Sequence, residues 1–180
     1  MTDRWPRVPE TRLDAGAWQL ADRTRERLFE LPRVTVEGHT LMYEEPSVSE
    51  RLDTDEPLCF FFATRLGFEP NLSSGAARLV EPLIRRQARS RFLETLRERS
   101  FTGLDSRTRD DFQTSDGYDG QRTTVRGRCR VADRSIEATG LLAVWRADGF
   151  FVAGGGYPHL ERDDERAYRA ELSELLRNVS

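Results

Sequence analysis

At 180 residues the chain is long enough for one domain with a substantial core, and 37% hydrophobic content with many aliphatic and aromatic clusters excludes a disordered chain despite 33% charged residues. The net charge is only -3, and every one of the 28 basic residues is Arg, so Schiff-base lysines and phosphate-loop lysines are excluded together with the chemistry they carry. The longest apolar run, LCFFFA, is far too short to cross a membrane, and MTDRWPRVPETRLD lacks the apolar stretch of a secretory leader, which gives the expectation of a cytoplasmic protein.

Residues 1–13 hold Pro6 and Pro9 among mixed charges and read as a flexible arm ahead of a single α+β domain over 14–180. Asp14 then opens a predicted amphipathic helix, with Ala17, Leu20, Ala21, Thr24, Leu28 and Leu31 at helical spacing up to Pro32. RVTVEGHTLMYEE alternates as strands do, either with a tight turn at Glu37-Gly38 or as one longer strand. Residues 45–57 are polar and acidic and read as a loop. Leu58 to Leu66 is apolar at both alternating sets, the signature of a central strand covered on both faces.

Residues 74–99 carry the longest helical stripe, through Ala76, Leu79, Val80, Leu83, Ala88, Phe92 and Leu96, with a break predicted near Glu81 because Pro82 removes a hydrogen bond. A strand over 101–112 follows. Next comes QRTTVRGRCRVADRSIEATGLLAVWRADGFFVAGGGYP, which reads as antiparallel hairpins. A two-residue turn at Asp133-Arg134 would pair Val131 with Ile136, Cys129 with Ala138 and Val125 with Leu142, and Asp148-Gly149 marks a second turn. Ala167, Tyr168, Leu172, Leu175, Leu176 and Val179 form the buried stripe of a last helix capped by Asp163 or Asp164. The expected fold is therefore an antiparallel sheet of about five to seven strands flanked by an N-terminal, a long central and a C-terminal helix.

From residue 34 to residue 179 the order of a strand pair, a long helix, several antiparallel strands and a final helix resembles the Mog1/PsbP-like α/β/α sandwich. The Lys-free composition with VWRADGFFVAGGGYP also resembles an uncharacterised haloarchaeal family. The fold includes a Ran-binding protein and a photosystem subunit, but no residue match carries either partner to this chain.

Candidate sites are few. Arg85, Arg86, Arg89 and Arg91 on the long helix, with Arg126, Arg128 and Arg130 on a strand, would suit nucleic acid if presented together, but the acidic total charge and nearby Glu81, Glu94 and Glu98 argue for a solvated face. Gly154-Gly155-Gly156 precedes acids that would repel a phosphate, so those glycines read as a packing device. His39, His159, Cys59 and Cys129 have no metal-ligand spacing, Cys59 lies in a dense aromatic run without a cationic neighbour to form a thiolate, and no metal or cofactor is implied. Glu44 with Glu45 reads as a strand end and 116–120 as a polar turn. Trp145 faces away from the Val125 and Val131 side and needs a covering helix or a partner. The resulting expectation leans away from an enzyme and toward a domain acting through protein–protein contacts. Two alternatives stand beside it: a small-ligand pocket between sheet and long helix lined by Phe60, Phe62, Trp145 and Tyr157, and an Arg-mediated nucleic-acid surface.

Overall fold

A computed structural model of the chain describes residues 4–180, including every side chain in that range except those of Ser106 and Arg107. Strands β1 (Gln19–Leu31), β2 (Val34–Glu44) and β3 (Phe60–Glu69) form one meander, and β4 (Phe101–Gln113), β5 (Asp119–Val131), β6 (Arg134–Arg146) and β7 (Phe150–Pro158) form another. The helices are α1 (Glu10–Ala15), α2 (Pro46–Arg51), α3 (Ser74–Glu98) and α4 (Asp164–Arg177). One antiparallel sheet results, in the order β1-β2-β3-β7-β6-β5-β4, so β7 is its middle strand and the β3–β7 pairing joins the two meanders. The architecture is α+β.

The strand β7 is buried along its whole length. Both faces of its Gly154-Gly155-Gly156 segment are crossed closely: a Cβ at Gly156 would meet Leu96 of α3 at 3.1 Å and one at Gly155 would meet Leu172 of α4 at 3.0 Å. Helices α3 and α4 therefore lie on opposite faces, and β3 alternates between them: Phe60 and Phe62 share the α3 side, while Phe61 packs on Tyr43 and Trp18 on the other.

The expected helix over 14–31 is overturned, and with it the three-helix layout. Asp14 lies inside the short helix α1, and residues 19–31 are an edge strand hydrogen-bonded to β2 through a two-residue turn at Pro32-Arg33, with Arg33 at φ 67. Most side chains of β1 are exposed, as an edge strand tolerates, and this weak burial left its alternation hidden beneath an accidental helical spacing of Leu and Ala. Glu37-Gly38 sits within one continuous β2, and α2 occupies part of the expected loop 45–57. Helix α3 runs through Pro82 unbroken, because its packing on the sheet outweighs the one missing hydrogen bond.

The β5–β6 register is two residues away from the expected one. Cys129 pairs with Ile136, Gly127 with Ala138 and Val125 with Gly140, because the turn residues are Ala132 and Asp133, with Ala132 at φ 49. A slip of two keeps each side chain on its face, so the burial pattern could not reveal it. The β6–β7 loop has three residues, Ala147 N donating to Gly149 O at 2.8 Å, and this places Arg146 opposite Phe150, where a two-residue turn at Asp148-Gly149 would have placed Phe151.

Residues 4–13, expected as part of a flexible arm, lie against the body: Pro6 is buried, and Arg7 and Ser180 exchange backbone hydrogen bonds of 2.6 and 3.0 Å. Residues 1–3 of that arm lie outside the described residues.

The glycine seam yields a direct prediction. A methyl at Gly154 would lie 2.8 Å from the Leu141 carbonyl oxygen and 3.0 Å from the Phe62 ring, whereas one at Gly67 meets nothing nearer than 3.9 Å. Urea denaturation of Gly154→Ala is expected to show a loss of about 1–3 kcal/mol, and Gly67→Ala to stay close to the parent.

Candidate functional site

On the α3 face, the sheet does not meet the helix everywhere. Over β7 and β6 the glycines let Leu96 and Phe92 approach to 3.0 Å of where a Gly140 Cβ would be, but toward β1 the sheet and helix diverge and leave a groove of about 460 Å3. Its helix wall is Ile84, Ala88, Arg91, Phe92 and Thr95, the spacing that puts side chains on one stripe. Its floor combines Leu28, Met42, Phe62, Leu66 and Val152 with a row of three threonines. Thr24, Thr40 and Thr64 stand directly opposite one another across β1, β2 and β3, and the Thr40 and Thr64 hydroxyls are hydrogen-bonded at 2.8 Å.

Each end of the groove is spanned by an Arg–Glu pair. Arg91 of α3 reaches Glu26 of β1 at 3.3 Å and donates to the Leu28 carbonyl at 3.3 Å, with both charged groups about half exposed. Arg99 bonds Glu44 at 3.2 Å and the Pro57 carbonyl at 3.0 Å, and its guanidinium lies 4.3 Å above the Phe60 ring. An exposed pair contributes little, whereas Arg99 is held by three kinds of contact, so the Arg91 side is the one that can open.

Of the aromatic residues expected to line one pocket, Phe62 lies in this groove and Phe60 is fully buried at its back under Arg99. Trp145 and Tyr157 are on the opposite face. Trp145 is 1% exposed, stacked on Phe151 at 5.5 Å and tilted against Phe112 at 5.6 Å, and Tyr157 stacks on Tyr168 of α4 at 5.6 Å. The threonine row went unrecognised because Thr24 was assigned to a helix and cross-strand register is not written in local alternation. Phe62 did carry a signal as one of three consecutive phenylalanines, and it is the one of the three that is only partly buried.

The arginines do not gather. Arg85, Arg86 and Arg89 stand on the α3 side around a shallow depression with Arg78 and Arg109, where Arg85 pairs with Glu81 at 2.5 Å. Arg126, Arg128 and Arg130 project from the other face of β5, where Arg126 is ion-paired with Glu165 and Arg128 donates to Ser135 Oγ at 2.7 Å.

Glu44 and Glu45 point to opposite faces. Glu45, expected at an exposed strand end, is buried and caps α2 by accepting from Ser47 N at 2.9 Å. Both thiols are fully buried and unpaired, and burial pushes Cys59 well above, and Cys129 up to about 12 from, the ordinary thiol range, which removes them as nucleophiles. Among the described residues no three His, Cys, Asp or Glu side chains are grouped to hold a metal ion.

Residues 5–180 match the family described as a domain of unknown function, DUF6517, and the chain belongs to that family. No curated protein and no solved structure matches the chain. No helix among the described residues is long and apolar enough to cross a membrane.

The two histidines give the protein a pH dependence. Burial lowers the pKa of His39, packed edge-on against Trp5 at 5.3 Å, and of His159, whose Nε2 lies 2.9 Å from Thr139 Oγ1, both relative to an ordinary 6.5. Just below pH 6.5 the unfolded chain therefore binds more protons than the folded one, so this contribution is complete above pH 6.5 and is lost as pH falls toward the folded values. Histidine proton titrations by NMR should show both midpoints below 6.5, and His39→Gln and His159→Gln should each flatten the fall in stability between neutral pH and the onset of carboxylate protonation.

Proposed function

We propose that this domain binds a small, elongated and mainly apolar molecule in the groove between α3 and β1–β3. The observation that carries the reading is the groove itself: about 460 Å3, within the range of small-molecule sites, with walls that are apolar between the Arg–Glu pairs at its ends and a row of hydroxyls across its floor. Apolar walls supply the driving force, while Thr24, at the open edge beyond the Thr40–Thr64 hydrogen bond, supplies a polar group that fixes orientation. This keeps the sheet–helix pocket of the sequence reading, with Phe62 in it, and replaces Trp145 and Tyr157 by Met42, Phe92 and the threonines.

A protein partner has less support. The exposed large apolar side chains among the described residues, Leu20, Leu79 and Tyr118, lie on β1, on α3 and in the β4–β5 loop, and do not make one patch. Nucleic-acid binding is disfavoured because the two arginine groups occupy opposite faces. The order β2, β3, α3, β4–β7, α4, with helices on both faces, supports the Mog1/PsbP-like resemblance at the level of architecture, with β1 added outside it. Two unpaired thiols suit a reducing cytoplasm.

Ala88 offers a clean test, since it is a partly exposed helix position facing the groove. An environment-sensitive apolar fluorophore should bind the parent protein in a one-to-one, saturable manner, and Ala88→Phe should weaken it on the order of tenfold or more by filling the space. Leu79→Phe, on the exposed part of the same helix, should leave binding unchanged. Equal affinity for the parent and Ala88→Phe proteins would remove the proposal.

A further inference from the structure

The sheet face opposite the groove carries a second cavity, of about 620 Å3, between β4–β6 and the flank of α4, and its lining is dominated by polar side chains. Alternation along β5 brings Thr124, Arg126 and Arg128 to it, α4 adds Arg169, and His159 enters from the end of β7. The charges there are unevenly satisfied. Glu165 neutralises Arg126, which also donates to Thr139 Oγ1 at 2.9 Å. Arg128 is anchored on Ser135 and stands opposite Glu137 in the register. Arg169 enters no ion pair among the described residues, and its positive charge acts on Tyr157 and Glu165 only through space.

One wall residue is chemically incomplete. Thr124 is 3% exposed and lines the cavity, yet its hydroxyl has no hydrogen-bond partner. A buried hydroxyl without a partner loses its hydration and gets nothing back, and native proteins keep few such groups outside sites that something else completes. A cation held in no salt bridge and an unpaired donor lining the same cavity are the complement of an oxyanion, which accepts from a guanidinium and from a hydroxyl at once.

We propose that this cavity binds a small molecule through an oxyanion, carboxylate or phosphate, held by Arg169 and by the Thr124 hydroxyl. The site is independent of the groove, from which the sheet separates it. The neighbouring acids Glu137 and Asp105 limit the charge it accepts, so the ligand is compact and carries one such group rather than a polyanionic chain.

Thermal denaturation of the full chain with inorganic phosphate and, separately, with succinate, each against sodium chloride of matched ionic strength, tests it. At a hundredfold excess over Kd, one or both should raise Tm by about 5–10 °C, and which of them does so names the oxyanion. Arg169→Gln, on a partly exposed helix position, should weaken the response at least on the order of tenfold, and Thr124→Val, which keeps the side-chain shape, by a similar factor. Thr124→Val should also be no less stable than the parent without ligand, because it removes an unpaired group. No stabilisation beyond the chloride control, or a response that survives both substitutions, would overturn the proposal.

Discussion

Everything in this fold leans on a middle strand that is almost without side chains where two helices cross it. The seven-stranded sheet consists of two meanders that are neighbours only through the pairing of β3 with β7, residues about ninety positions apart in the chain. At that seam Gly154, Gly155 and Gly156 let Leu96 of α3 and Leu172 of α4 settle directly onto the sheet from either side. Closeness matters because dispersion between side chains falls off within an ångström, so a helix held away by even one methyl would forfeit much of its contact with the phenylalanines of β3. The glycines lose ladder stability through their own entropy, and the offset comes from the density of packing on both faces.

The same seam creates the groove. A straight helix of 25 residues cannot follow a twisted sheet along its whole breadth, so close contact at β7 and β6 implies separation toward β1. Edge strand β1 is bulged twice, near Ala21 and near Leu28, and bulges turn an edge away from its neighbours. The groove is thus the place where helix and sheet part company, bridged by Arg91 and Glu26 instead of filled by side chains. Threonine suits its floor because its methyl packs against the apolar walls while its hydroxyl finds the one directly opposite.

Legibility in the sequence followed burial. The α4 stripe and the alternation along β5 were readable because their faces are contrasted, whereas the α3 stripe was read only in part: Phe92 and Leu96 are buried, but Leu79 is exposed and the buried Ala77 and Ile84 were not in it. Strand β1 was not, since an exposed edge has no buried face to imprint, and Leu20, Leu28 and Leu31 happened to fall at helical intervals. The β5–β6 register was lost for a different reason: a two-residue slip preserves the face of every side chain, and only the left-handed backbone at Ala132 distinguishes the two turns. Phe62 was legible as a residue of the groove between sheet and helix and Thr24, Thr40 and Thr64 were not, because their alignment lies in a register that links three strands.

The two faces of the sheet have been used in opposite ways. The α3 face is apolar at the seam and lines its open space near β1 largely with apolar side chains, adding the threonine hydroxyls and the Arg–Glu pairs at its ends. The α4 face is apolar near Trp145 and Phe151 but turns polar along β5, where successive positions on that face are Arg122, Thr124, Arg126 and Arg128. Both Arg122 Nε and Thr124 Oγ1 are buried there without a partner. Thr124 is the buried member of that row, Arg122 and Arg126 are partly buried, and Arg128 is exposed. Buried, unpartnered polarity on this strand is therefore confined to Arg122 Nε and Thr124 Oγ1, and of the two residues Thr124 lines the cavity, where the proposed oxyanion would complete it.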